Sequence, residues 1–235
     1  MSAFRDAVLA APFAGAALTL ALYALACRLH LRLGRPLWAH PVLVAVLSVT
    51  LVLLGLGAPY DAYFATAEPL HLALGPLLVL LAVPLCRHLP DIRAAAPTVG
   101  LALTAGCAVA LAGHVLLARA LAAEHAVAAS ILPRSITTAA AVGVAEGLGG
   151  SAPLAAALVI ATGIFGAVVG PAVLGVLRIR DHRAQGLALG VAAHVIGTVR
   201  AFQISPQAGA FAGIGMVLNA FLTIVLAPFA IAFLR

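Results

Sequence analysis

Eight long apolar runs, separated by short polar breaks, pattern the whole chain: near residues 8–27, 39–58, 70–86, 97–118, 126–149, 153–176, 184–204 and 208–233. Each approaches the roughly 20 residues that a bilayer-crossing helix needs. Barrel strands would instead show alternating runs of about ten residues. Hydrocarbon accepts only helices or closed barrels, so the pattern predicts an all-α, polytopic integral membrane protein with about seven or eight membrane segments. Several runs are broken: Gly75-Pro76 and Pro84 in the third, Pro133 in the fifth, and Pro206 between the last two. Proline removes a backbone donor, and the groups it frees must face protein or a water-filled cavity. Discontinuous or re-entrant helices are therefore expected.

Composition agrees. Of 235 residues, 64% are hydrophobic and 9% charged, with a mean hydropathy of +1.18. Soluble domains carry about 25% charged residues, so no stretch is polar enough for a separate soluble domain. We treat 1–235 as a single transmembrane domain in a bacterial cytoplasmic (inner) membrane. The net charge of +6 comes entirely from arginine, because the chain has no lysine. The arginines do not cluster on a polar face with interleaved aromatics, which argues against a nucleic-acid partner. Cys27, Cys86 and Cys107 show no metal or redox spacing. Val8–Ala26 is followed at once by Arg28, Arg32 and Arg35, which suits a retained first span better than a cleaved leader.

Loop charge then sets the orientation. Arg28, Arg32 and Arg35 make 28–36 cytoplasmic, Asp61 and Glu68 mark 59–69 as external, and Arg178, Arg180 and Arg183 return 178–183 to the cytoplasm. Arg87, His88 and Arg93 put the third loop inside, and Arg119 with Glu124 allows the fourth outside. Two apolar runs lie between residues 125 and 178, but only an odd number of crossings fits. The run 126–149, with its Pro, Arg, Ser and Thr residues, is the expected re-entrant element. A weak repeat of 70–118 in 126–176, shifted by 57 residues, aligns Pro76 with Pro133, Gly106 with Gly163 and Gly113 with Gly170. By these orientations the copies are antiparallel, the inverted arrangement that places sites at broken helices near the midplane. Chance similarity between Gly/Pro-rich apolar runs is the plain alternative.

Polar groups inside apolar runs are candidate chemistry. In Ile131-Leu132-Pro133-Arg134-Ser135-Ile136-Thr137-Thr138, an arginine in the apolar zone costs at least about 2.5–3.5 kcal/mol unless it faces a cavity or partner. Pro133 suits a first helical turn, and Ser135, Thr137 and Thr138 add hydroxyls, so an anion site is expected there. Snorkelling of Arg134 and back-bonding hydroxyls are the structural alternative. His194 and Thr198 stand four apart on one helical face, beside Arg200; His194 is the candidate proton carrier. Glu146 is the only acid between Glu124 and Asp181 and so a candidate charge partner. His114 and Asn219 are single polar residues on apolar helices, more readily satisfied by packing. No nucleophile–base pair, metal cage or nucleotide loop is present in the sequence, so neither an enzyme nor a cofactor is expected. The glycines of Gly163-Ile164-Phe165-Gly166-Ala167-Val168-Val169-Gly170 predict close helix contact.

These motifs resemble the LrgB/CidB family of bacterial membrane proteins. The likeness runs from about His40 to the C-terminus, through Leu132–Thr138, Glu146–Gly150, Thr162–Ala167, Gly186–Gly190, His194–Thr198 and Gly209–Phe211. The resemblance implies two functions. One is holin/antiholin-like control of murein hydrolase activity and autolysis with a small LrgA/CidA-type membrane partner. The other is carriage of small monocarboxylates of the pyruvate, glycolate and lactate class, as in a related plastid glycolate/glycerate translocator. Buried Arg, His and hydroxyls on broken helices favour the carrier. Arg134 and Arg200 would bind the carboxylate, with Ser135, Thr137, Thr138 and Thr198 orienting it. A separate LrgA-like partner is expected, and a homo-oligomer stays open. The chain departs from the family pattern at Arg134 (usually Lys), Ala139 (usually Pro), Leu78 (usually small and polar) and Ala208 (usually acidic). These departures leave the second half carrying the site.

Overall fold

The computed structural model describes residues 11–34, 39–80 and 82–233. Residues 8–10 of the first run and Arg35 fall outside them, as does the side chain of Leu78. The described residues are helical, with no strand among them. Two compact units divide the chain at Leu80.

In the first unit, α1 (Ala14–Arg32), α2 (Pro41–Leu56) and α3 (Tyr60–Leu80) pack together. Gly15 sits against α3: its N–H donates to Thr66 Oγ1 at 3.0 Å, and Thr19 and Tyr63 share a hydroxyl bond of 2.7 Å. Two expected loops are helical instead. Arg28 lies within α1 and Arg32 ends it, where the cation meets the negative end of the helix dipole. Residues 60–69 open α3, with Asp61 in its first turn and Glu68 farther along it.

The second unit comprises α4 (Ala82–Arg87), α5 (Leu89–Ala94), α6 (Ala96–Ala120), α7 (His125–Ile131), α8 (Thr138–Gly147), α9 (Ala152–Val176), α10 (His182–Ile204) and α11 (Pro206–Ala232). Pro97, Pro153 and Pro206 occupy the first turns of α6, α9 and α11, where the missing N–H costs nothing. These three helices, of 25, 25 and 27 residues, are long enough to cross a bilayer. Helices α6 and α11 run parallel. Phe211 packs with Val99 and Leu103 near one end, Cys107 Sγ lies 3.7 Å from Thr223 Oγ1, and the Arg119 guanidinium bonds the Phe233 carbonyl at the other end.

The run 126–149 is re-entrant. At roughly 1.5 Å per residue, α7 and α8 reach only about 10 and 15 Å, well short of a bilayer core of about 30 Å. Their outer ends meet. His125 Nε2 bonds the Leu148 carbonyl at 2.9 Å, and Ser130 Oγ accepts the Ser151 N–H at 2.8 Å while donating to the Ala126 carbonyl at 2.7 Å. Gly149, at φ 79°, makes the turn that permits this closure. Both ends of this hairpin therefore lie at one membrane face, which leaves α9 as the single crossing between residues 125 and 178. Pro133 departs from expectation: it lies buried in the turn between α7 and α8 rather than in a first helical turn, because Arg134 N–H and Ile136 N–H bond back to Ile131 and Pro133.

The run 184–204 is also a hairpin, which hydropathy does not reveal. Helix α10, with 23 residues, is long and apolar enough to span, yet it breaks at Ala193 (φ −135°, ψ 19°) and His194 (φ 42°, ψ −130°). The two arms fold back on each other. A methyl group on Gly197 would run into the Leu189 carbonyl, and one on Gly186 into the Ala208 backbone. On the returning arm, one on Gly209 would meet the Phe202 ring. Residues 186 and 202 thus both adjoin 208–209, although a straight helix would hold them about 24 Å apart. The expected span at 184–204 therefore does not cross, and α11 begins at the same face as α10. Asp181 caps the first arm, accepting the Arg183 N–H at 2.8 Å. The Arg183 side chain holds the Asp181 carboxyl below the usual carboxylate range.

Candidate functional site

The two hairpins enter from opposite faces and their tips come together midway along α11. Asn219, the fourteenth of its 27 residues, is 1% exposed. Its Nδ2 donates to the Ser135 carbonyl in the first tip at 3.4 Å and to the Val191 carbonyl beside the second tip at 3.3 Å. Interrupting a helix frees carbonyls that lipid cannot satisfy, and Asn219 supplies donors to one from each hairpin. The second tip is seated on α9. His194 Nε2 bonds the Val159 carbonyl at 3.0 Å, and methyl groups on Gly163, Gly166 and Gly170 would lie 2.6–2.7 Å from His194, Ala193 and Leu189. The glycine spacing does bring a helix close, and here it accommodates the left-handed backbone of His194, a conformation L-residues rarely adopt.

Arg134 stands in the first tip, half-buried. Its Nε–H donates to His114 Nε2 at 2.9 Å, and His114 Nδ1 lies 2.9 Å from the Leu132 carbonyl. Only one tautomer satisfies both bonds: Nδ1 carries the proton and Nε2 accepts. The terminal amino groups of Arg134 have no hydrogen bond to a described residue, and no described acid pairs with it. Arg134, Ser135 and His114 border a cavity of about 540 Å³ with Thr162 of α9, α6 and the first arm of α10. A second cavity of about 370 Å³, lined by Thr98, Asp181 and Arg183, shares Ala102, Ala184 and Leu187 with it. The two cavities are therefore neighbours, one at the arginine-bearing 178–183 end and the other at Arg134.

The other expected residues divide. Ser135 joins Arg134 at the cavity. Thr137 caps α8 without a side-chain bond and Thr138 is exposed. Thr198 is fully buried, its hydroxyl donated to the His194 carbonyl at 2.9 Å. Arg200 lies on the returning arm of α10, donating through Nη1 to Gln203 Oε1 at 2.7 Å, and does not line the Arg134 cavity. Glu146 is exposed near the end of α8 and pairs with no described cation. Sequence reasoning gives no role to His114, Thr162 or Asn219: His114 and Asn219 are lone polar residues in apolar runs, and Thr162 only opens one of the family-like stretches.

The hairpin neck gives a direct test of this geometry. Ser130→Ala leaves the Ser151 N–H without its acceptor, an expected loss of about 1–3 kcal/mol. A melting temperature in detergent equal to wild type would show that Ser130 does not hold the neck.

Transmembrane helices flanking two opposed helical hairpins define a multi-pass α-helical membrane protein whose polar centre lies inside the bilayer. The chain belongs to the LrgB-like family, whose model matches residues 19–233. It is 33% identical to the protein YwbG of Bacillus subtilis (strain 168), over 92% of this chain and 96% of that one. It is 32% identical to the holin-like protein CidB of Staphylococcus aureus (strain Mu50), over 90% and 92%. No solved structure matches it.

Proposed function

We propose that the chain carries a small monocarboxylate, of the pyruvate, glycolate and lactate class, across the bacterial membrane. One observation carries the reading: Arg134, in a hairpin tip within the bilayer, faces a cavity with no described acid to neutralise it. A cation in that position needs an anion, and a carboxylate matches the two-pronged edge of a guanidinium. Ser135 and Thr162 offer hydroxyls to orient it. Hairpins entering from opposite faces suit alternating access about a midplane site. With 178–183 cytoplasmic, the cavity beside Asp181 and Arg183 marks the inward side of the site. An LrgA-like small membrane protein is the expected partner.

Holin/antiholin-like control of murein hydrolases is the second reading, favoured by the name of the relative CidB. Flux into proteoliposomes, with the chain alone and with an LrgA-like partner, separates the two. Saturable uptake of labelled pyruvate that excludes neutral sugars is expected. Non-saturating leakage of neutral sugars through the complete complex would remove the carrier reading.

A further inference from the structure

We propose that His114 positions Arg134 and is the proton site coupled to anion binding. The inference rests on the carboxylate reading above. It starts from one bond: Arg134 Nε–H to His114 Nε2, 2.9 Å, with His114 Nδ1 tied to the Leu132 carbonyl. That geometry requires an unprotonated Nε2. It anchors the guanidinium by its Nε–H and leaves the terminal amino groups for a ligand. A proton taken from cavity water onto Nε2 removes the acceptor and releases Arg134. Nε2–H then becomes a donor to the same cavity, which His114 itself lines. Two cations beside one cavity hold a carboxylate more tightly than one, so proton and anion favour each other's binding. Such coupling is reciprocal by thermodynamic necessity. The complex gains one proton and one carboxylate, with no net change in charge.

The surroundings leave few other groups to take this role. Helices α9 and α11 carry no titratable side chain. On α6 itself, Cys107 and Arg119 stand seven residues before and five after His114. In the first hairpin, His125 is bonded to the Leu148 carbonyl, and Glu124 and Glu146 are exposed at its outer ends. In α10, His182 and Arg183 lie at the membrane face, Arg200 is bonded to Gln203, and His194 is held by the Val159 carbonyl. On α5, Asp91 and Arg93 are exposed. Arg134 is the one charged side chain bonded to His114.

The test is pyruvate binding to the purified full-length chain in detergent, followed in weak buffer with a pH indicator. Wild type should take up one proton per bound pyruvate, with affinity falling about tenfold per pH unit above the titration of the site. His114→Gln keeps an acceptor for Arg134 but does not titrate, so it should bind pyruvate with no proton uptake and a flat pH dependence. His114→Asn, which can still donate to the Leu132 carbonyl, serves if the glutamine variant does not fold. An unchanged proton count in either variant, or loss of it in His194→Gln instead, overturns the assignment to His114. Wild-type binding without proton uptake overturns the coupling with no variant needed. Absence of pyruvate binding by wild type at every pH sinks the carboxylate reading itself, a distinct outcome.

Discussion

Arg134→Ala should lower kcat/KM for pyruvate uptake by about a hundredfold or more while the protein inserts normally. Removing one partner of a desolvated, charge-assisted pair costs about 2–5 kcal/mol, and about 2.7 kcal/mol corresponds to that factor. Folding should survive, since Arg134 is half-buried at a cavity and its one described side-chain bond is to His114. Arg134→Lys keeps the charge but presents a point rather than a fork, and should retain part of the activity. Arg200→Ala is the internal control. Its guanidinium bonds Gln203 and does not line the cavity, so uptake should fall by no more than about threefold, as for a half-exposed pair. Equal loss in both alanine variants would show that the returning arm of α10 contributes to the site. Normal uptake by Arg134→Ala with normal expression would make that arginine structural.

The second large effect is on folding. Gly190→Ala is expected to cost about 3 kcal/mol or more, and Gly190→Val to abolish folded yield. A methyl group there would run into the Ala212 carbonyl, and Gly186 meets Ala208 in the same way one turn earlier. The obstacle in both places is backbone, so no side chain can swing aside, and overpacking of this kind commonly costs about 1–3 kcal/mol even where side chains can yield. Without close approach of α10 to α11, the second hairpin cannot bring its tip to Asn219. Gly113→Ala gives the comparison: nothing lies within 4 Å of the added methyl, and alanine is the better helix former by roughly 1 kcal/mol. Monodisperse protein of normal melting temperature from Gly190→Val would refute the hairpin packing.

The apolar runs by themselves determine the membrane class and the all-α architecture, because hydrocarbon forces the backbone to satisfy its own hydrogen bonds. They also mark 126–149 as re-entrant, since arginine bias at 178–183 and proline, arginine and hydroxyls within the run are local facts of sequence. The second hairpin is not legible. His182–Ile204 has the length and apolarity of a span, and its reversal contains no proline; a left-handed His194 is stabilised by glycines 24 to 31 residues earlier on α9. Partnerships are equally hidden. Arg134 is legible as a costly cation, but its bond to His114, twenty residues away, depends on how the first hairpin leans on α6. Arg200 reads like Arg134 in composition and differs only because the returning arm turns it to Gln203. Sequence decides which polar groups enter the apolar zone. Which of them meet is decided by chain reversals and helix packing between distant residues, and those exist only in the tertiary structure.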